Sequence, residues 1–256
     1  MIFDSHAHYN DKRFDDNRDE ILDEVLNGEI GRIMNAGTNI GTSIESIALA
    51  EKYGQIYASV GIHPHDTEKI QDEQQTIDKI YELLQHDKVN ALGEIGLDFY
   101  YDFSARDIQQ KWFDIQMQIA AETGYPVIIH DREAHGMCYD MAVKYPSVTG
   151  IFHSYSGSAE MAAELIKRGW YISFSGVITF KNAAKITEVV KTIPLDRLLI
   201  ETDCPFLAPH PMRGKLNHSG YMVYTAEKAA ELCGVTYDEL CKITYDNACD
   251  IYRMDK

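Results

Sequence analysis

Short apolar runs rich in β-branched residues alternate along this chain with longer stretches whose apolar residues recur at helical spacing. The runs are Ile2–His8, Arg32–Ala36, Ile56–Ile62, Val89–Ile95, Val127–His130, Val148–His153, Trp170–Ser175 and Leu198–Thr202. Amphipathic segments fall between them. Ile21, Leu22, Val25 and Leu26 mark one; Ile44, Ile47, Ala48 and Tyr53 a second; Trp112, Phe113, Met117 and Ala120 a third. Met161–Ile166 and Lys185–Lys191 keep the same spacing. Gly54, Gly124 and Gly169 stand where helices would stop. A last helical stretch runs from Tyr224 to about Tyr252.

Strand followed by helix, repeated in this way, implies a parallel sheet covered by helices. The 256 residues hold the repeats of a (β/α)8 TIM barrel, which typically takes about 250, with extra C-terminal helices. A doubly wound open sheet is the alternative α/β architecture. That fold usually carries a glycine-rich phosphate loop after an early strand, and neither GxGxxG nor GxxxxGK[ST] occurs. No linker, low-complexity run or charge block divides the chain, so residues 1–256 are expected to form one domain.

A barrel of this kind carries its chemistry at the C-terminal ends of its strands. The first run closes with His6 and His8, and in a strand residues i and i+2 share a face, so both imidazoles aim at one point. "GIHPH" closes the third with His63 and His65; "GEIGLD" the fourth with Glu94 and Asp98; "VIIHDREA" the fifth with His130, Asp131 and Arg132. His153 ends the sixth in "GIFHSYSG", and Glu201 and Asp203 end the eighth in "LIETDCP". Ionisable groups directly after apolar residues are costly unless paired or bound to a cation. A lone histidine at a strand end is ordinarily a hydrogen-bonded structural residue, and His86, His135 and His210 are read in that way. The joint pattern is different. His6 and His8 on one strand, with Glu94, His130, His153 and Asp203 on four others, converge on one mouth, and that favours metal.

Imidazole with carboxylate suits zinc, manganese, iron or cobalt, and magnesium less well. The set exceeds the needs of one tetrahedral ion, so two divalent ions are expected, with Glu94 as the bridging carboxylate. Two ions about 3.5–4 Å apart can hold a hydroxide and stabilise attacking and leaving oxygens in ester hydrolysis. Asp203 is expected to serve as ligand, as proton acceptor, or as both.

Composition narrows the class. With 45% hydrophobic and 25% charged residues the chain reads as an ordinary soluble protein. The start lacks the basic and apolar regions of a secretory signal, and no apolar run approaches the roughly 18 residues of a spanning helix. Cys138, Cys204, Cys233, Cys241 and Cys249 never form CxxC and read as reduced thiols, which suits a cytoplasmic protein. The net charge of −16 leaves no basic stripe for a long duplex. A nucleic-acid substrate would have to be gripped locally, near an end.

Taken together, "DSHAH" (4–8), "GIHPH" (61–65), "LGEIGLDFY" (92–100), "HDREA" (130–134), "HSYSG" (153–157), "ETDCP" (201–205) and "RGKLN" (213–217) resemble the TatD family of metal-dependent hydrolases within the amidohydrolase-like barrels. The resemblance spans nearly the whole chain. It implies that His6, His8, Glu94 and Asp203 hold one ion, and that Glu94, His130 and His153 surround the second. It implies magnesium- or manganese-supported deoxyribonuclease action on DNA ends, with some members assigned to RNA or to aminoacyl-tRNA esters; zinc stays open. His63 is similar to the family's active-site histidine, touching substrate or a leaving phosphate, and Arg132 lies beside the ligands or faces substrate.

Two departures stand out. His218 and Ser219 follow Asn217 where the family usually has Glu and Pro, and Ser154 stands where Cys is common. The first departure is expected near the mouth, affecting substrate contacts of the loop that holds Arg213 and Lys215, two cations suited to a phosphate. Phe99, Tyr100 and Tyr101 are placed either to stack on bases or to pack under their own loop. Three functions compete: a two-metal phosphodiesterase, a metal-dependent hydrolase of a carboxylic ester or amide, and a non-catalytic metal-binding barrel.

Overall fold

The computed structural model describes residues 1–256. Eight parallel strands appear where the apolar runs predict them: β1 (Ile2–Ala7), β2 (Ile30–Ala36), β3 (Ile56–Val60), β4 (Val89–Asp98), β5 (Val127–Arg132), β6 (Gly150–Phe152), β7 (Tyr171–Phe174) and β8 (Leu198–Ile200). They lie side by side in chain order. Helices α1 (Arg18–Leu26), α2 (Ile40–Lys52), α3 (Glu73–Leu84), α4 (Arg106–Thr123), α5 (His135–Lys144), α6 (Ala159–Lys167) and α7 (Ala184–Val190) connect successive strands. The fold is a (β/α)8 TIM barrel. The expected final stretch divides into α8 (Met222–Cys233) and α9 (Tyr237–Ile251), because Gly234 takes a left-handed conformation (φ 69°) that stops α8. No helix is long and apolar enough to cross a membrane. All five cysteines are free.

Strand β8 is too short to close the cylinder alone, so the residues after it do the work. Asp203 N–H donates to His6 O at 2.9 Å and His8 N–H to Cys204 O at 2.8 Å. Beneath them the buried Asp4 carboxylate accepts from Thr202 N–H at 2.9 Å and from Thr202 Oγ1 at 2.6 Å. The seam therefore fixes the two chain segments that carry His6, His8 and Asp203 relative to one another.

Two apolar layers support this frame. The larger packs strand faces against the surrounding helices. The smaller gathers Phe3, Met34, Ala91, Ile128, Ile151, Tyr171 and Leu199 with Ala248, Cys249 and Ile251 of α9 and the Tyr252 that follows it, which together plug the floor. One pleat higher along the same strands stand His130, His153 and Glu201. Apolar floor and polar mouth thus follow from alternation alone.

Strand β4 runs three residues beyond the expected Ile95, which places Glu94 inside the strand and Asp98 at its end. Gly96 permits this. It has φ 138°, and a Cβ there would lie 2.0 Å from His130 O. Only glycine lets β4 and β5 approach closely enough to juxtapose Glu94, Asp98 and His130. Gly96→Ala should therefore lower stability by about 2 kcal/mol or more, read by urea unfolding. Gly54→Ala, where nothing lies within 4 Å, should stay within about 0.5 kcal/mol.

Candidate metal centre at the barrel mouth

Glu94 is the hub. Only 3% exposed, its carboxylate lies 2.8 Å from His130 Nδ1, 2.9 Å from His153 Nε2, 3.3 Å from His8 Nε2, 3.4 Å from His6 Nε2 and 3.5 Å from His63 Nε2. Asp203 Oδ1 completes one side, 3.5 Å from His8 Nε2 and 3.7 Å from His6 Nε2. Three sets of candidate ligand atoms each fall within 4.8 Å of one another: His6, His8 and Asp203; His6, Glu94 and His153; His63, Glu94 and His130. Glu94 and His6 each belong to two sets. Asp203 itself has φ 54°, an uncommon conformation for a non-glycine residue, and it stands at the centre of the chemistry.

Hydrogen bonds behind the imidazoles decide what each presents. His8 Nδ1 donates to the Ala36 carbonyl at 3.1 Å, so Nε2 is the nitrogen turned to the centre. His130 Nε2 donates to Asp98 Oδ2 at 3.1 Å, leaving Nδ1 for the centre. His153 Nδ1 donates to Glu201 Oε1 at 3.2 Å, leaving Nε2. His63 is the exception. Its Nδ1 accepts from His65 N–H at 3.1 Å, so the neutral ring points an Nε2–H at Glu94. In three rings the inner nitrogen can exchange its proton for a cation without losing the bond behind it, whereas in His63 the inner nitrogen keeps its proton.

The carboxylates favour the protonated form of His8, His130 and His153. Burial alone would depress His8, but hydrogen bonding to Asp203 and Glu94 carries its pKa up to about 10. Burial would raise Glu94, yet His153, His63, His6 and His130 hold its carboxyl well below the usual range. Burial pushes His63 down to about 4, with Glu94 only partly opposing it, so this ring stays neutral near pH 7. The negative potential that favours a proton on His8 favours a divalent cation equally. His6 and His8 Nε2 atoms 2.9 Å apart beside two carboxylates form a donor set that fits such a cation.

The strand-end reading missed the supporting residues. Asp98 and Glu201 were noted as polar closures of their runs without a role, and they orient His130 and His153 from behind. Asp98 also accepts from His65 Nε2 at 2.8 Å, and its other oxygen holds the Tyr100 and Tyr101 amides. Burial opposes the charged form of Asp98, but His130, His65 and the Tyr101 amide keep its pKa low. Signals for these roles existed in "GLD" and "ETD", where a carboxylate follows apolar residues.

A cavity of 1860 Å³ opens above the cluster, lined by His63, Arg132, Asp203, Tyr101, Phe103 and Phe206 among others. Arg132 stacks its guanidinium over Tyr100 (4.3 Å) and Tyr101 (4.7 Å). Arg213 and Lys215 are exposed on the loop between β8 and α8 and do not line this cavity. Arg213 instead lies over Phe180, 3.9 Å from the ring centre, and Phe180 lines the cavity. His86 pairs with Glu51 and His135 with Asp131, away from the cluster.

The departure at Ser219 has a different meaning from the one expected. Ser219 is fully buried and faces the interior; its Oγ donates to Asp4 Oδ2 at 2.7 Å and bonds Tyr9 OH at 2.8 Å. Burial raises Asp4 to about 7, with Thr202 and Ser219 opposing the shift. Ser219 thus steadies the seam beneath the centre and makes no loop contact with substrate. His218 packs against Tyr221 with ring centres 4.0 Å apart. Ser154 lines the cavity and hydrogen-bonds Ser175 Oγ at 3.0 Å.

The chain is similar to known proteins in sequence and in fold. The sequence model described as TatD related DNase matches residues 3–253. An uncharacterized metal-dependent hydrolase, YabD of Bacillus subtilis, is 44% identical over 241 residues, covering 93% of this chain and 94% of that one. The 3'-5' ssDNA/RNA exonuclease TatD of Citrobacter koseri is 33% identical over 219 residues, covering 84% and 83%. Among solved structures, the TatD homologue YjjV of Escherichia coli superimposes with a TM-score of 0.92 at 27% identity, covering 99% and 98%. A lactonase-like enzyme of Deinococcus radiodurans, at TM-score 0.67 and 14% identity, shares the fold alone.

Glu201→Ala should weaken Mn²⁺ binding by about 10- to 100-fold, read by calorimetric titration, with Glu201→Gln intermediate because its amide oxygen can still accept from His153. Ser219→Ala should cost about 1–3 kcal/mol in urea unfolding.

Proposed function

We propose, from the premise that this chain belongs to the TatD family of metal-dependent hydrolases, that it cleaves phosphodiester bonds at single-stranded nucleic-acid ends. The observation that carries the reading is the division among the imidazoles. The inner nitrogens of His8, His130 and His153 face Glu94 while their outer nitrogens donate to acceptors behind them, and His63 offers an N–H from a ring that stays neutral at pH 7.

In this reading His6, His8, Glu94 and Asp203 hold one divalent ion and Glu94, His130 and His153 a second. Mg²⁺ or Mn²⁺ are the favoured ions, with Zn²⁺ compatible with the donor set. When bound, the pair supplies an activated water and neutralises charge developing on the phosphoryl oxygens. Asp203, the most solvent-accessible of the carboxylates around the centre at 17% side-chain exposure, accepts the proton that the attacking water gives up. His63 Nε2–H hydrogen-bonds the leaving oxygen as its charge builds. Arg132, whose guanidinium rests on tyrosine rings, faces a non-bridging phosphate oxygen. Arg213 and Lys215 are left to a more distal phosphate along the strand.

A carboxylic ester or amide would present the same attacking group with a comparable electrophile, so an aminoacyl ester is the second reading. The name of the Citrobacter koseri relative favours nucleic acid. A catalytically silent metal-binding barrel would have no use for a proton donor and a proton acceptor on opposite sides of one cluster.

Glu94→Gln should lower hydrolysis of single-stranded DNA and of bis-p-nitrophenyl phosphate alike, by about 100-fold or more. His63→Ala should separate the two substrates. It should cost about 100-fold on DNA, whose alkoxide leaving group needs a donor, and far less on p-nitrophenolate, which leaves unaided. Aminoacyl-ester hydrolysis by the wild type, with no DNA or RNA cleavage under Mg²⁺ or Mn²⁺, would replace the phosphodiesterase reading by the second.

A further inference from the structure

The exposed aromatic rings of this protein gather at one place. Of the large apolar side chains left exposed, Met1, Ile44, Met137 and Val143 are aliphatic, while the aromatic ones are Tyr100, Tyr101, Phe103 and Phe206. Phe206 lines the cavity over the metal centre from the β8 side, with Arg13 over its ring at 3.9 Å. The other three stand together on the loop after β4. Tyr101 is 46% and Phe103 64% exposed, and both line the cavity. No packing role accounts for rings so exposed, whereas Phe99 is half-buried against the core beneath the same loop.

These rings are held. Tyr101 and Phe103 lie nearly parallel, 13° apart with centres at 5.2 Å, and His65 meets both edge-on at 5.6 and 4.8 Å. Asp98 binds the Tyr101 amide with one oxygen and His65 and His130 with the other. One carboxylate therefore fixes the aromatic loop relative to a histidine that touches Glu94. At 5.2 Å the rings are too close to admit a planar group between them, so a ligand ring must stack on an outer face.

We propose that Tyr101 and Phe103, flanked by Arg132, form a stacking platform for one unpaired nucleobase, placed so that the adjoining phosphate reaches the metal centre. The inference rests on the phosphodiesterase reading and names what part of the substrate the mouth recognises. Charge points the same way. A chain of net charge −16 cannot draw affinity from a long run of phosphate contacts. Stacking needs no charge complementarity, is tolerant of sequence because every base has a π-face, and adds to the cation contribution of a neighbouring arginine. It also selects single strands, since a paired base has both faces covered by its neighbours. An aromatic side chain in a peptide or aminoacyl substrate is the competing occupant.

The test uses labelled single strands of five nucleotides, either with all bases or with abasic sugars at the two terminal positions. Equilibrium binding is read by fluorescence anisotropy on the protein as purified, and kcat/KM after Mg²⁺ or Mn²⁺ is added. The wild type should prefer the base-bearing strand by about fivefold or more in both measurements. Tyr101→Ala/Phe103→Ala should bring the ratio close to one, and Tyr101→Phe/Phe103→Tyr should restore it. A wild-type ratio near one, or a ratio unchanged in the double alanine variant, overturns the platform even where DNA is cleaved. Cleavage of neither strand overturns the phosphodiesterase reading separately, and the binding ratio still decides the platform. Stronger competition by phenylalanine amide than by a free nucleoside would assign the platform to the aminoacyl substrate instead.

Discussion

A carboxylate buried among imidazole nitrogens sets the terms for the rest of this molecule. Glu94 sits 97% shielded in a cylinder of parallel strands, where an unpaired charge would be costly. Its oxygens are satisfied only if His6 and His8 from β1, His63 from the end of β3, His130 from β5 and His153 from the end of β6 all reach it. The closing seam through Asp4, Thr202 and Asp203, the glycine that draws β4 onto β5, and the floor plug of α9 all serve that convergence. The carboxylates behind it extend the same logic outward. Asp98 and Glu201 fix which nitrogen of His130 and of His153 faces Glu94.

The barrel was readable because its repeats are written in period-2 and period-3.6 patterns that composition does not blur. The convergence of His6, His8, Glu94, His130, His153 and Asp203 followed from placing strand-end residues on that barrel. Boundaries were less legible. Strand β4 continues past Ile95 because Gly96 accepts a backbone conformation that apolar patterning cannot report. Residues acting through others were also hidden: a buried aspartate after "GL" looks the same whether it caps a loop or orients a histidine. Ser219 shows the converse. Its position in a basic loop suggested a surface role, yet its hydroxyl turns inward to Asp4 across a sequence separation of 215 residues. No local pattern encodes such a contact.

Acidity and nucleic acid are compatible here because the cations are few and local. Arg132, Arg13 and Arg213 each lie over an aromatic ring at the mouth or its rim. A guanidinium placed on a ring keeps its planar fork free for phosphate, while most of the remaining surface stays negative and repels extended polyanions. Such a surface suits a strand end that enters a cavity, and suits a duplex poorly. In the proposed reaction, divalent ions held by the cluster would supply most of the positive charge that the reacting phosphate meets.

In the proposed function the cluster around Glu94 would hold two divalent ions at once, close enough to share that carboxylate. Electron paramagnetic resonance of the Mn²⁺-titrated protein tests it most directly. Uptake of two ions per chain and the broadened spectrum of a coupled pair are expected, with Glu94→Gln leaving at most one isolated ion. A single six-line Mn²⁺ signal at saturation in the wild type, or no uptake, would contradict it.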